Sequence, residues 1–114
     1  PSKPGEALKA LMKLSGNMTI EQMAERALVS TGTVKNWRKE EYTYDAETAI
    51  RIIVGLHLPP WISSWFLQIS GAGLQFRGLH MMYRNIIACH YMDTLSEVNS
   101  LIELAGFDKM NELR

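Results

Sequence analysis

Residues 19–39, TIEQMAERALVSTGTVKNWRK, constrain the fold of this chain more than any other stretch. Thr19 precedes a periodic apolar run and Gln22 stands three residues on, the pattern of a capping box that opens a helix. Ile20, Met23, Ala24, Ala27 and Leu28 recur at helical spacing and predict one buried stripe. Ala24 is small where a second helix has to cross closely. Leu28-Val29-Ser30 reads as a tight turn, with Ser30 capping a further helix over residues 31–39. Only Val34 and Trp37 of that helix are expected to point inward. Its other positions, Thr31, Gly32, Thr33, Lys35, Asn36, Arg38 and Lys39, carry three cations and no acid. The rest of the chain is expected to hold that second helix and pair it with another copy.

The flanking sequence is helical throughout. Residues 4–15 form a first helix, with Pro4 at an early position, Leu8, Leu11 and Met12 on one face and Gly16 as its stop. After a connector over residues 41–44, Asp45 caps a helix over residues 46–54 that turns Ala46, Ala49, Ile50 and Ile53 inward and stops at Gly55. Leu58-Pro59-Pro60 is a rigid joint into a helix over residues 61–70, whose stripe is Ile62, Trp65, Phe66 and Ile69. Leu79, Met82, Tyr83, Ile86, Ile87 and His90 share one face of the next helix. Thr94 and Glu97 make a second capping box before Leu95, Val98, Leu101, Ile102 and Ala105. Gly106 closes that helix, with Phe107 placed to fold back on it. The last residues are expected to fray. No strand pattern appears, so the fold class is all-α. The expected division is residues 1–71 as one helical domain and residues 72–114 as a helical extension, packed on the first part or used for dimerisation.

Composition narrows the function. The formal net charge of the 114 residues is zero, so a nucleic-acid partner has to be met by a local patch rather than by bulk charge. The single cysteine, Cys89, cannot pair within the chain and fits a reducing compartment. It is expected to be a buried small hydrophobe. No apolar run approaches the ~18 residues of a membrane span, and no signal peptide is visible, so a cytoplasmic protein without membrane contact is expected. Cys89 and His90 are neighbours on a helix and point about 100° apart, and His57 and His80 lie elsewhere, so no metal site is expected. Paired carboxylates, a nucleophile elbow and a phosphate loop are missing, so neither an enzyme nor a cofactor is expected.

Thr19, Met23-Ala24, Val29-Ser30, Thr33-Val34 and Trp37-Arg38 resemble the pattern of the phage-repressor-like Xre family of helix-turn-helix DNA-binding domains. The resemblance covers roughly residues 4–71. It implies five short helices, a homodimer on double-stranded DNA and regulation of transcription, most simply repression. It also implies that the helix over residues 31–39 enters the major groove. Asn36 is then the best direct reader, through bidentate pairing with adenine. Thr31 and Thr33 offer hydroxyls or a methyl, and Gly32 permits close approach of backbone to DNA. Lys35, Arg38 and Lys39 take phosphates, and the capped helix starts at Thr19 and Ser30 lie beside the backbone. Three positions differ from the family pattern. Leu28 stands where the turn usually has glycine, Ile20 where a phosphate-binding glutamine is common, and Glu40 where a glycine ends the reading helix. The alternative is an antitoxin-like adaptor that binds a protein on the same scaffold. It gains if Glu21, Glu40 or Glu41 covers the face of Lys35, Asn36 and Arg38.

Overall fold

A computed structural model describes residues 3–112, and all regular structure in them is helical. The helices are α1 (Pro4–Leu14), α2 (Ile20–Ala27), α3 (Thr31–Trp37), α4 (Ala46–Gly55), α5 (Pro60–Ser70), α6 (Leu79–Cys89) and α7 (Leu95–Leu104). None is long and apolar enough to cross a membrane.

Local chemistry sets where most of them begin. Thr19 Oγ1 accepts from the Gln22 N–H at 3.1 Å, and Gln22 Oε1 accepts from the Thr19 N–H at 2.9 Å, which is the reciprocal capping box. Thr94 and Glu97 repeat it at α7, and those hydrogen bonds, the Thr94 backbone N–H first, hold the Glu97 carboxyl below its usual range. Asp45 and Ser30 cap α4 and α3 through the third N–H of each helix.

Helix α4 is the hub. Its residues 49–55 are all buried, and α2, α5, α6 and α7 pack around it. One apolar cluster runs from Ala7 and Leu8 of α1 through Ile50, Ile52 and Ile53 to Ile86 of α6, Val98 and Ile102 of α7, and Met110. Gly55 faces α2, where an added Cβ would meet the tip of Met23 at 3.0 Å and the backbone N of Ala27 at 3.8 Å. Tyr83 of α6 is pressed into this core. Burial, followed by the charges of Glu47 and Asp45, pushes its hydroxyl pKa up to about 12.

Several expectations change. Helix α3 ends at Trp37 rather than Lys39, because the Tyr44 hydroxyl donates to the Trp37 carbonyl at 2.5 Å and takes up the helix end. Gly55 lies within α4, and the left-handed closing residue is His57 (φ 53°), braced by a hydrogen bond from its Nδ1 to the Tyr91 carbonyl at 2.9 Å. Trp65 is 37% exposed, so α5 buries Phe66 and turns both Trp61 and Trp65 outward. His90 leaves the α6 stripe to bond Asp93, and Ala105 is exposed. Cys89 is exposed, not core. The chain end does not fray through residue 112. Met110 is 2% exposed, and the Asn99 amide holds its backbone from both sides, donating to the Met110 carbonyl at 2.9 Å and accepting from its N–H at 2.8 Å. Arg114, the expected last frayed residue, lies outside the described residues.

Candidate nucleic-acid interface

The candidate face is built on α3 and the chain just beyond it. Val34 and Trp37 are buried and anchor the helix. Thr31, Gly32, Lys35, Asn36 and Lys39 are exposed, as is Thr19 at the start of α2, whereas Ser30, Thr33 and Arg38 are half-buried. Among the described residues, the side chains of Lys35, Asn36 and Lys39 make no hydrogen bond or ion pair within the fold. Arg38 differs, because its Nε is buried with no acceptor. A buried guanidinium N–H without a partner is a cost to the fold, and because this nitrogen is closed off from solvent it offers no contact to a molecule outside.

The hydroxyls are less free. Ser30 Oγ accepts from the Thr33 N–H at 3.1 Å and lies 3.0 Å from Thr33 Oγ1, so both side chains are committed to the cap. Thr31 keeps a free hydroxyl. At Thr19 the capping box already occupies the Thr19 and Gln22 N–H groups, which leaves fewer donors for a phosphate than an open helix start has. A Cβ on Gly32 would meet only Ser30 Oγ, at 3.8 Å, so nothing in the fold requires glycine at that place.

Beside the face lies an open cleft of about 440 Å³, lined by Lys9, Ile20, Lys35, Arg38, Lys39, Glu40 and Glu41. Four cations meet two carboxylates in it, and Glu40 is drawn toward Lys3, 3.5 Å away. The two acids thus share the cleft with Lys35 and Arg38, whereas Asn36 is not part of its lining. Glu21 lines a different cavity, with Ala24, Leu28 and Thr31.

Three residues that hold this face escape sequence reasoning. Gly5 of α1 is pressed against the end of the α3 segment, where a Cβ would lie 2.3 Å from the Lys39 carbonyl oxygen and 2.8 Å from that of Arg38. Tyr44 is buried in the connector and stacks on Phe66 of α5 with centroids 5.7 Å apart. Burial, with Tyr42 adding to it, raises its pKa well above the usual tyrosine value, so the hydroxyl remains a donor to Trp37. Arg51 of α4 reaches back to the end of α2. Its guanidinium donates to the Ala27 carbonyl at 2.8 Å and lies 3.5 Å from the Leu28 carbonyl. Leu28 itself is left-handed (φ 57°), adopting the conformation glycine would favour. The only hint of Arg51's role is a charge inside an apolar run, four residues after Glu47. Gly5 and Tyr44 give no local signal, because their partners are distant in sequence.

The chain matches no known family model, no curated protein and no solved structure.

Proposed function

We propose that the chain is a sequence-specific regulator of transcription, a repressor, that binds double-stranded DNA and reads the major groove with residues 31–39. The observation that carries this reading is the polar face of the α3 segment, where the side chains of Lys35, Asn36 and Lys39 are exposed and without partners among the described residues. At 1.5 Å per residue, α3 is about 10 Å long, which suits a major groove ~12 Å wide. Asn36 reads adenine, Thr31 offers a hydroxyl or methyl to a base, and Lys35, Arg38 and Lys39 take phosphates. Gly32 lets the backbone approach the duplex. Ser30, Thr33 and Thr19 act mainly through the helix starts they cap.

One short helix reads only a few base pairs, so the chain acts as a homodimer on a two-fold site. The outer face of α5 supports this. Trp61, Ser64, Trp65 and Gln68 fall at i, i+3, i+4 and i+7, and all are exposed and uncharged. Trp61 is 73% exposed. A two-fold axis sets a surface against its own copy, and an uncharged face does so without like-charge repulsion.

The rival reading, an adaptor that binds a protein, draws on Glu40 and Glu41, which line the same cleft as Lys35 and Arg38. Selection of duplexes from a random-sequence pool decides between the two. Enrichment of a palindrome is expected, with Lys35→Ala weakening all duplexes alike and lowering the salt slope by about 1. Asn36→Ala is expected to cost about 1–3 kcal/mol on the enriched duplex alone. A pool that shows no enrichment would remove DNA reading and leave the adaptor.

A further inference from the structure

The α2–α3 turn is held from behind by the far end of the chain. The end of α2 closes with two backbone hydrogen bonds, Val29 N–H to the Ala24 carbonyl at 3.0 Å and Leu28 N–H to the Glu25 carbonyl at 3.3 Å. That pattern does not use the carbonyls of Ala27 and Leu28. The Arg51 guanidinium covers both. The same guanidinium donates to Glu47 Oε2 and, through Nη2, to the Asn111 carbonyl. Arg51 is 1% exposed, so these bonds form out of water, where an unmade one is costly. Residues 108–112 are in turn fixed by burial of Met110 and by the two-sided grip of Asn99. The Leu28 side chain faces the same segment across a cavity of about 420 Å³ shared with Ser96, Asn99 and Met110.

We infer that residues 108–112 are a strap that sets the α2–α3 turn, with Arg51 as the positioning residue that transmits its state to the reading helix. When the strap is docked, Arg51 has its full set of acceptors and Leu28 is held left-handed. When the strap lifts, Arg51 loses the Asn111 carbonyl and the Met110 site opens beside the turn. The turn then samples other conformations, and α3 loses its fixed angle to α2. The strap thus regulates the reading face without touching it. The consequence for DNA rests on the function proposed above, whereas the coupling of strap to turn does not.

Native-state amide exchange on the unaltered chain tests the coupling. The Met110 N–H is expected to open with those of Leu28 and Val29 along one denaturant dependence, as one cooperative unit. In Asn99→Ala and Met110→Asp, protection of Leu28 and Val29 is expected to fall about tenfold or more while α1 and α5 amides keep theirs. The duplex enriched from a random-sequence pool should then bind several-fold more weakly with unchanged base preference. If the Met110 N–H exchanges freely while Leu28 and Val29 remain protected, in the unaltered chain or in either variant, the strap does not set the turn. If no duplex is enriched, DNA reading fails and the exchange result still stands or falls by itself. Should a variant unfold, the exchange pattern of the unaltered chain decides.

Discussion

The ends of α2 and α7 are closed by the same hydrogen-bond pattern and supported in opposite ways. At α7, Phe107 N–H reaches the Ile102 carbonyl at 3.1 Å and Gly106 N–H reaches that of Glu103 at 2.9 Å. Gly106 takes φ 90° at no steric cost, and Phe107 packs on the core. At α2 the corresponding bonds run from Val29 and Leu28, but the left-handed residue is a leucine. A side chain there costs about 1–2 kcal/mol. The Arg51 clamp and the partly buried Leu28 side chain offset that cost. A helix end can therefore be specified by its own glycine or by distant partners, and only the first is visible in local sequence. The end that depends on distant partners is the one beside the candidate reading helix. Gly32 sharpens the contrast, since a glycine stands there where neither backbone angle nor crowding asks for one.

Four substitutions probe that contrast. The largest effect is expected for Arg51→Leu, which leaves the Ala27, Leu28 and Asn111 carbonyls without their donor. It should destabilise the fold by about 3 kcal/mol in chemical denaturation. A loss below about 1 kcal/mol would mean that the α2 end does not need its clamp. Gly106→Ala comes next, at about 1–2 kcal/mol from left-handed strain alone. Gly106 also leads into the segment whose Asn111 carbonyl Arg51 holds, so a double-mutant cycle with Arg51→Leu should show coupling, and additive losses would mean that the α7 end stands on its own glycine. Leu28→Gly combines relief of strain with loss of a half-buried side chain, so a net change of only about 0.5 kcal/mol is expected. Destabilisation beyond about 2 kcal/mol would make Leu28 a core residue first and a turn residue second. The smallest effect is expected for Gly32→Ala, a stabilisation of about 0.5 kcal/mol from helix propensity. If Gly32 serves close approach to DNA, the same variant binds the enriched duplex more weakly, and equal binding would leave that glycine without a role.

How much was legible depends on how far each interaction reaches. Thr19, Ser30, Asp45 and Thr94 all cap as their sequence context predicts, since a cap and the N–H that donates to it lie within four residues. The inward pair Val34 and Trp37 follows from helical spacing in the same way. The reading of Trp65 as inward fails because the α5 stripe is wider than the surface available to cover it, and spacing cannot say which edge is left outside. Residue type alone predicts Cys89 to be core, yet it is exposed in the last turn of α6, at the edge of the face that buries Tyr83, Ile86 and Ile87. The expectation of fraying fails for the described end of the chain, because Met110 docks on Asn99, eleven residues back, through two bonds that no local pattern encodes.

The sequence by itself determined the helical class, the helix starts and the composition of the α3 face, because capping and apolar periodicity act over one or two turns. Only the tertiary structure decided where α3 stops, how Leu28 is kept left-handed and what the chain end does. Those outcomes hang on Tyr44, Gly5, Arg51 and Asn99, whose partners are brought to them by the folded core rather than by neighbouring residues.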